Sequence, residues 1–120
     1  WWVGGMFSRK GAEKNMDKIA GRINGIIAVG YGATQGVPHK SKSADEISQY
    51  KGTAPQWFKD GVDALLCAPT ALNKQAYMVK GEGRKVSLTC TNGHFAGIDL
   101  GIGKYHFEIG AGKENFQWVQ

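Results

Sequence analysis

Trp57-Phe58-Lys59-Asp60-Gly61-Val62-Asp63-Ala64-Leu65-Leu66-Cys67-Ala68-Pro69-Thr70-Ala71-Leu72-Asn73-Lys74-Gln75 decides how this chain is read. Phe58, Val62, Leu65 and Leu66 fall on one stripe of an amphipathic helix. Ala68-Pro69 must end that helix, because the residue before a proline is pushed out of the helical region and proline has no N–H to give. A short polar exit follows, Thr70 to Gln75. It offers a hydroxyl, the amides of Asn73 and Gln75, and free backbone groups at one defined place. Such a turn can hold a polar, planar ligand without ionic chemistry.

Working upstream, Thr53-Ala54-Pro55-Gln56 has capping-box spacing with proline in the first turn. It predicts a helix that runs to about Ala68. Ser43-Ala44-Asp45-Glu46 has the same spacing and predicts a short helix to about Tyr50. Gly32 to Lys42 reads as a polar loop containing Pro38. Ile26-Ile27-Ala28-Val29 is a short continuous apolar run between glycines, which predicts a central strand covered on both faces. Ser8 is placed to cap a short helix to about Asp17, and Trp1 to Phe7 reads as a buried, glycine-punctuated loop.

Downstream, Ala76 to Lys80 and Lys85 to Thr91 predict a hairpin joined through Gly81-Glu82-Gly83, and Asn92-Gly93 predicts a tight turn. From about Ile98 the spacing Ile98, Ile102, Tyr105, Ile109 returns to helical period, with Gly110 and Gly112 ending the helix. The fold class is α+β, with a central mixed or antiparallel sheet flanked by helices.

With 120 residues, of which 42% are hydrophobic, the chain is one ordered domain or a piece of one. The formal charge is +5, but the basic residues are scattered from Arg9 to Lys113. Without a dense basic run or aromatic-basic repeat, nucleic acid is not the expected partner. No stretch approaches the ~20 apolar residues of a membrane span, and no signal peptide is visible. Cys67 and Cys90 have no CxxC or zinc spacing, and read as buried, reduced thiols of a cytoplasmic protein.

Ala68-Pro69-Thr70-Ala71-Leu72-Asn73-Lys74-Gln75 resembles the flavin-edge motif of the FMN-dependent nitroreductase family, Ala-Pro-Ser/Thr-Ala/Ser-x-Asn-x-Gln after a helix. Trp2-Val3-Gly4-Gly5 resembles that family's Trp-Leu-Gly-Gly loop. Lys40-Ser41-Lys42 resembles its Lys/Arg-x-Lys/Arg segment. Ile98 to Gly112 resembles its Asp-Leu-Gly-Ile-Ala-Lys-Tyr-His-Phe-Glu-Ile-Gly-Ala-Gly ending. The likeness is strongest to the small, internally duplicated nitroreductase-like branch.

The resemblance implies that residues 1–120 are the C-terminal part of a single nitroreductase-like domain, with an N-terminal segment missing. Family members carry an Arg-Arg/Ser-x-Arg phosphate clamp that this chain lacks, so weak or no FMN binding by these residues alone is expected. The resemblance also implies a set of FMN contacts. Pro69, Thr70, Ala71, Asn73 and Gln75 would meet the ring and ribityl chain. The backbone of Trp2, Val3, Gly4 and Gly5 would face flavin N5 and O4. Lys40 and Lys42 would take the phosphate. Electrons would pass from NAD(P)H through the flavin to a nitroaromatic, quinone or similar small-molecule acceptor, so no side chain is itself expected to be catalytic. No metal is implied. A homodimer, or pairing with a missing N-terminal half, would cover the remaining apolar surface.

Two alternatives stay open: a ligand-binding module of this fold without turnover, and a small basic nucleic-acid binder. In the last predicted helix, His106 and Glu108 are two apart and cannot face each other for acid–base work. Gly101 and Gly103 read as sites of close helix packing, not as a phosphate loop.

Overall fold

The computed structural model describes residues 2–16, 21–91 and 93–120, with Trp2 described by its backbone alone. It divides into two compact units, 1–37 and 38–120.

In the first unit, β1 (Trp2–Val3) pairs antiparallel with β2 (Ile26–Ile27), Trp2 opposite Ile27 and Val3 opposite Ile26. Between them lies α1 (Arg9–Lys14), whose N-cap Ser8 accepts the Gly11 N–H at 3.1 Å. Its expected end near Asp17 lies outside the described residues, as does Asn92 of the expected Asn92-Gly93 turn. Two expectations are corrected here. Trp2–Val3 is a strand and not a loop, and Met6 is fully exposed. The run Ile26 to Val29 is not covered on both faces: Ile27 is 73% and Val29 94% exposed. Apolar character alone does not bury a strand that has a single two-residue partner.

The second unit contains every buried apolar side chain among the described residues. It opens with α2 (Ala44–Ile47), capped by the expected reciprocal box. Glu46 accepts the Ser43 N–H at 2.7 Å and the Ser43 hydroxyl at 2.9 Å. These bonds hold its carboxyl below the usual range, the backbone bond contributing most. The helix does not continue to Tyr50. It stops after one turn, where the Ser48 hydroxyl donates to the orphan Ala44 carbonyl at 2.8 Å. From Ser48 the chain is extended as β3 (Ser48–Lys51), with alternate residues turned inward.

α3 (Gln56–Leu66) is capped by Pro55, not Thr53. The Pro55 carbonyl accepts from Phe58 and Lys59, and Gln56 points forward to Asp60 at 2.8 Å instead of back to a cap. Phe58, Val62 and Leu65 are buried, as their spacing predicts. The helix ends at Leu66, and its C-cap Cys67 is exposed, contrary to the buried thiol expected. The stripe places 58, 62 and 65 inward, and residue 67 is already past the last turn.

β4 (Tyr77–Glu82) and β5 (Lys85–Cys90) form the predicted hairpin. Its turn is Gly83-Arg84, with Gly83 at φ +56°. Gly81 lies inside β4, where the rings of Tyr50 and Phe58 occupy the space a side chain would need. After α4 (Ala96–Ala111), Gly112 turns the chain at φ +72° into β6 (Gln117–Trp118). The sheet order is β3-β4-β5-β6, with β3 parallel to β4, β4 antiparallel to β5 and β5 parallel to β6.

α3 and α4 pack closely because glycine stands on both sides. A Cβ on Gly61 would strike the Phe107 ring, and one on Gly110 would strike the Asp60 carbonyl and, at 2.5 Å, the Ala64 Cβ. Gly110 is therefore a packing residue inside α4, and the helix stops at Gly112. Beneath the pair, Phe58, Leu65 and Phe107 meet Val79, Val86 and Leu88 of the sheet. Phe116 closes the core, stacked on Trp57 at 5.9 Å and edge-on to Phe107 at 5.2 Å.

The buried face of α4 is Asp99, Gly103, Phe107 and Ala111. The predicted stripe lies elsewhere: Ile98 is 47% exposed, Tyr105 and Ile109 are each 65% exposed, and Ile102 is half-buried. This helix is apolar on two faces, and only one of them is packed in this chain.

Candidate functional site

Pro69 stops α3 and starts a turn whose backbone departs from ordinary conformations. Leu72, Asn73 and Gln75 all have positive φ, at 56°, 51° and 43°. Non-glycine residues rarely adopt this region, and surrounding structure must hold them there. The hydrogen bonds that do so are local and long-range. Asn73 N–H donates to the Thr70 carbonyl at 3.0 Å, and Lys74 N–H to the Ala71 carbonyl at 3.3 Å. The Thr70 hydroxyl accepts the Gln75 N–H at 3.0 Å.

Gln75 is 1% exposed. Its side-chain amide donates to the Leu66 carbonyl at the end of α3 (2.8 Å) and accepts the Lys42 N–H (2.7 Å). Its own carbonyl accepts the Lys42 ammonium at 3.1 Å. Asn73 adds a parallel link, its amide donating to the Lys40 carbonyl at 2.9 Å. The pairs Asn73–Lys40 and Gln75–Lys42 advance two residues on each side. The structure thus joins two segments, Lys40–Lys42 and Thr70–Gln75, that lie 33 residues apart in the chain.

From the other side the turn is anchored by Asp99. Both its carboxylate oxygens accept the Ala71 N–H, at 3.1 and 3.2 Å, and its backbone carbonyl accepts the Tyr77 hydroxyl at 2.9 Å. Asp99 is 8% exposed and sits in the first turn of α4, where the helix dipole favours an anion. Burial first, and then the Asp99 charge, push the Tyr77 phenol far above its ordinary value; the same two causes raise the Cys90 thiol. Gly103 leaves the space in which the Tyr77 ring lies, so one of the two glycines expected to pack closely does so. Gly101 faces open space.

Asp99 is the residue that the sequence reading missed. The available signal was its place, as the lone acidic residue in the first turn of the helix, between Ile98 and Leu100. His106 and Glu108 drew attention instead. Glu108 is used structurally, accepting the Trp118 indole N–H at 2.7 Å and pairing with Lys113 at 3.4 Å.

The residues present fit the chemistry of a flavin. Asn73 is exposed and its amide N–H is already used, which leaves its oxygen for a ring donor. The Thr70 hydroxyl accepts internally and retains its own hydrogen to donate. Lys40 is exposed, and its ammonium makes no hydrogen bond or ion pair among the described residues. Pro69 is exposed, and Ala71 is half-buried over Asp99. The side chain of Gln75 has its hydrogen bonds satisfied within the protein. Val3, Gly4 and Gly5 lie half-buried in the first unit, in and just after β1. Among the described residues no group of histidine, cysteine and carboxylate side chains could hold a metal. No helix there is long and apolar enough to cross a membrane.

A family model described as "Putative TM nitroreductase" matches residues 1–111. The chain belongs to this nitroreductase family. No curated protein matches it. A crystal structure described as "a putative nitroreductase" from Thermotoga maritima MSB8 has the same fold, with a TM-score of 0.63 and 21% identity. The match covers 87% of this nitroreductase-family chain and 48% of the Thermotoga chain, so it spans about half the length of that relative.

Proposed function

We propose that this chain is part of an FMN-dependent oxidoreductase that passes hydride from NAD(P)H to a nitroaromatic, quinone or similar acceptor. The observation that carries this reading is the joining of Lys40–Lys42 to Thr70–Gln75. Each segment resembles a flavin-binding motif for its own reasons, and the fold ties them together. When bound, FMN would supply the hydride chemistry, which side chains do not. The chain's residues would bind and orient it. Asn73 and Thr70 offer an acceptor and a donor to the ring edge, and Lys40 offers charge to the phosphate.

The exposed Ile98, Tyr105 and Ile109 support the further reading that a second nitroreductase half covers α4. The free thiols of Cys67 and Cys90 suit a reducing, cytoplasmic compartment.

The test is a visible absorption spectrum of the full-length protein, followed by anaerobic addition of NADPH. A flavin spectrum that bleaches supports the oxidoreductase reading. Flavin that binds without bleaching supports a binding module, and a protein that ignores FMN at full length overturns the flavin reading.

A further inference from the structure

One peptide unit of the turn is clamped at both ends. The Thr70–Ala71 peptide gives its N–H to both carboxylate oxygens of Asp99, at 3.1 and 3.2 Å, and its carbonyl accepts the Asn73 N–H at 3.0 Å. A peptide is planar, so its two ends cannot rotate independently. Asp99 thereby fixes the carbonyl on which Asn73 hangs. The residues beyond need that support. Leu72 and Asn73 stand at φ 56° and 51°, and Leu72 is 87% exposed, so packing does little to keep it there. Such residues revert to ordinary conformations unless their surroundings hold them. The far end of the turn is held by buried Gln75, bonded to Leu66 and Lys42. The near end rests on Asp99.

We infer that Asp99 is a positioning residue of the flavin site: by holding the Thr70–Ala71 peptide, its carboxylate sets where the Thr70 hydroxyl and the Asn73 amide stand, acting through the turn and not by contact with the ligand. The inference rests on the flavin reading above and deepens it, naming a residue of α4 on which that site depends. Asp99 is 8% exposed and makes no ion pair among the described residues. Its side chain is linked to the turn by the two bonds to Ala71, and the first turn of α4 supplies a favourable dipole for the charge. What the turn takes from Asp99 is an acceptor at one place. A neutral oxygen at that place should serve nearly as well.

The experiment is a fluorescence titration of FMN into the full-length protein, beside a thermal melt of each variant. Asp99→Ala should weaken FMN by about tenfold or more, the usual effect of removing a charged hydrogen-bond partner. Asp99→Asn keeps an oxygen for the Ala71 N–H and should recover most of that loss. Tyr77→Phe is the control for stability. It removes a hydrogen bond to the Asp99 backbone and leaves the carboxylate in place, so it should lower the melting temperature without weakening FMN. An Asp99→Ala protein that binds like wild type, an Asp99→Asn protein as weak as Asp99→Ala, or a Tyr77→Phe protein weakened equally overturns the inference while the flavin reading stands. Wild-type protein that binds no FMN overturns both. If Asp99→Ala does not fold, Ala71→Pro removes the same link from the turn side, because proline has no N–H. It should weaken FMN comparably, and unchanged affinity overturns the inference.

Discussion

The two units of this chain teach opposite lessons about apolar sequence. Residues 1–37 carry Ile26, Ile27, Val29, Tyr31 and Val37, yet all five are exposed. Residues 38–120 place Val79, Val86, Leu65 and Phe107 at 0% exposure. The side chains are similar in kind; their partners differ. β2 has two residues paired with two, whereas β4 is paired along its whole length with β5, from Val79 to Glu82 with β3, and roofed by helices. Burial needs several elements converging on one place.

The contrast is broken most directly at its extremes. Phe107→Ala should destabilise the fold by about 3–5 kcal/mol, because a fully buried ring leaves a cavity against Phe58, Phe116 and Trp118. Val29→Ala in the first unit should change stability by less than about 0.5 kcal/mol. Urea unfolding of the two variants side by side measures both, and equal losses would contradict the picture.

Asp99→Ala comes next. It leaves the Ala71 N–H unpaired and removes the anchor of the turn at residues 70–75. The expected cost is about 1.5–3 kcal/mol. Amide exchange should show protection falling first at residues 70–75 and only later in β4 and β5. Uniform loss of protection would mean that the turn is not held separately from the core.

Gly110→Ala sharpens the comparison within α4. Alanine improves helix propensity by about 1 kcal/mol, but here its methyl meets the Asp60 carbonyl and Ala64. Backbone cannot yield cheaply, so net destabilisation of about 1 kcal/mol or more is expected in a thermal melt. Gly101→Ala on the same helix meets open space and should stabilise the protein slightly.

Alkaline pH tests the buried cluster below the turn. Tyr77 has a folded pKa raised above its ordinary value of 10.0, and Cys90 is also raised, from 9.0. Raised values mean that the fold favours the protonated forms. Their contribution is fully present below pH 9 and is lost as pH rises, Cys90 first and then Tyr77 beyond pH 10. Tyr77→Phe should start less stable, through loss of the hydrogen bond to Asp99, and then fall less steeply above pH 10. Parallel curves for the two proteins would refute this assignment.

The smallest effect on folding is expected at Ile109→Glu. The side chain is 65% exposed, so stability should move by no more than about 0.5 kcal/mol. The proposed pairing with a second half should nevertheless be lost, which light scattering of the full-length protein would show as a fall in mass or as an opened chain.

Much of the second unit was legible because its signals are local. The stop at Pro69, the box at Ser43–Glu46, the hairpin and the last helix all follow from neighbours within a few residues. What escaped depends on distant strands or helices. Ser48 to Tyr50 reads as helix until β4 is present to pair with it. Gly81 reads as a turn until two rings pack on it. The stripe at Ile98 to Ile109 has a correct period and an unexpected face, because period fixes spacing and not direction.

The candidate site divides in the same way. Sequence by itself determined the residue types: a proline-stopped helix, a hydroxyl and an amide at Thr70 and Asn73, and two lysines before a capped helix. Tertiary structure alone decided that Gln75 looks inward, that Lys42 is pinned while Lys40 is not, and that Asp99 holds the turn. The physical reason is that a hydrogen-bonding group spends its donors and acceptors on whatever the fold brings within about 3 Å. Those partners lie 28 to 33 residues away along the chain, where no local pattern can reach.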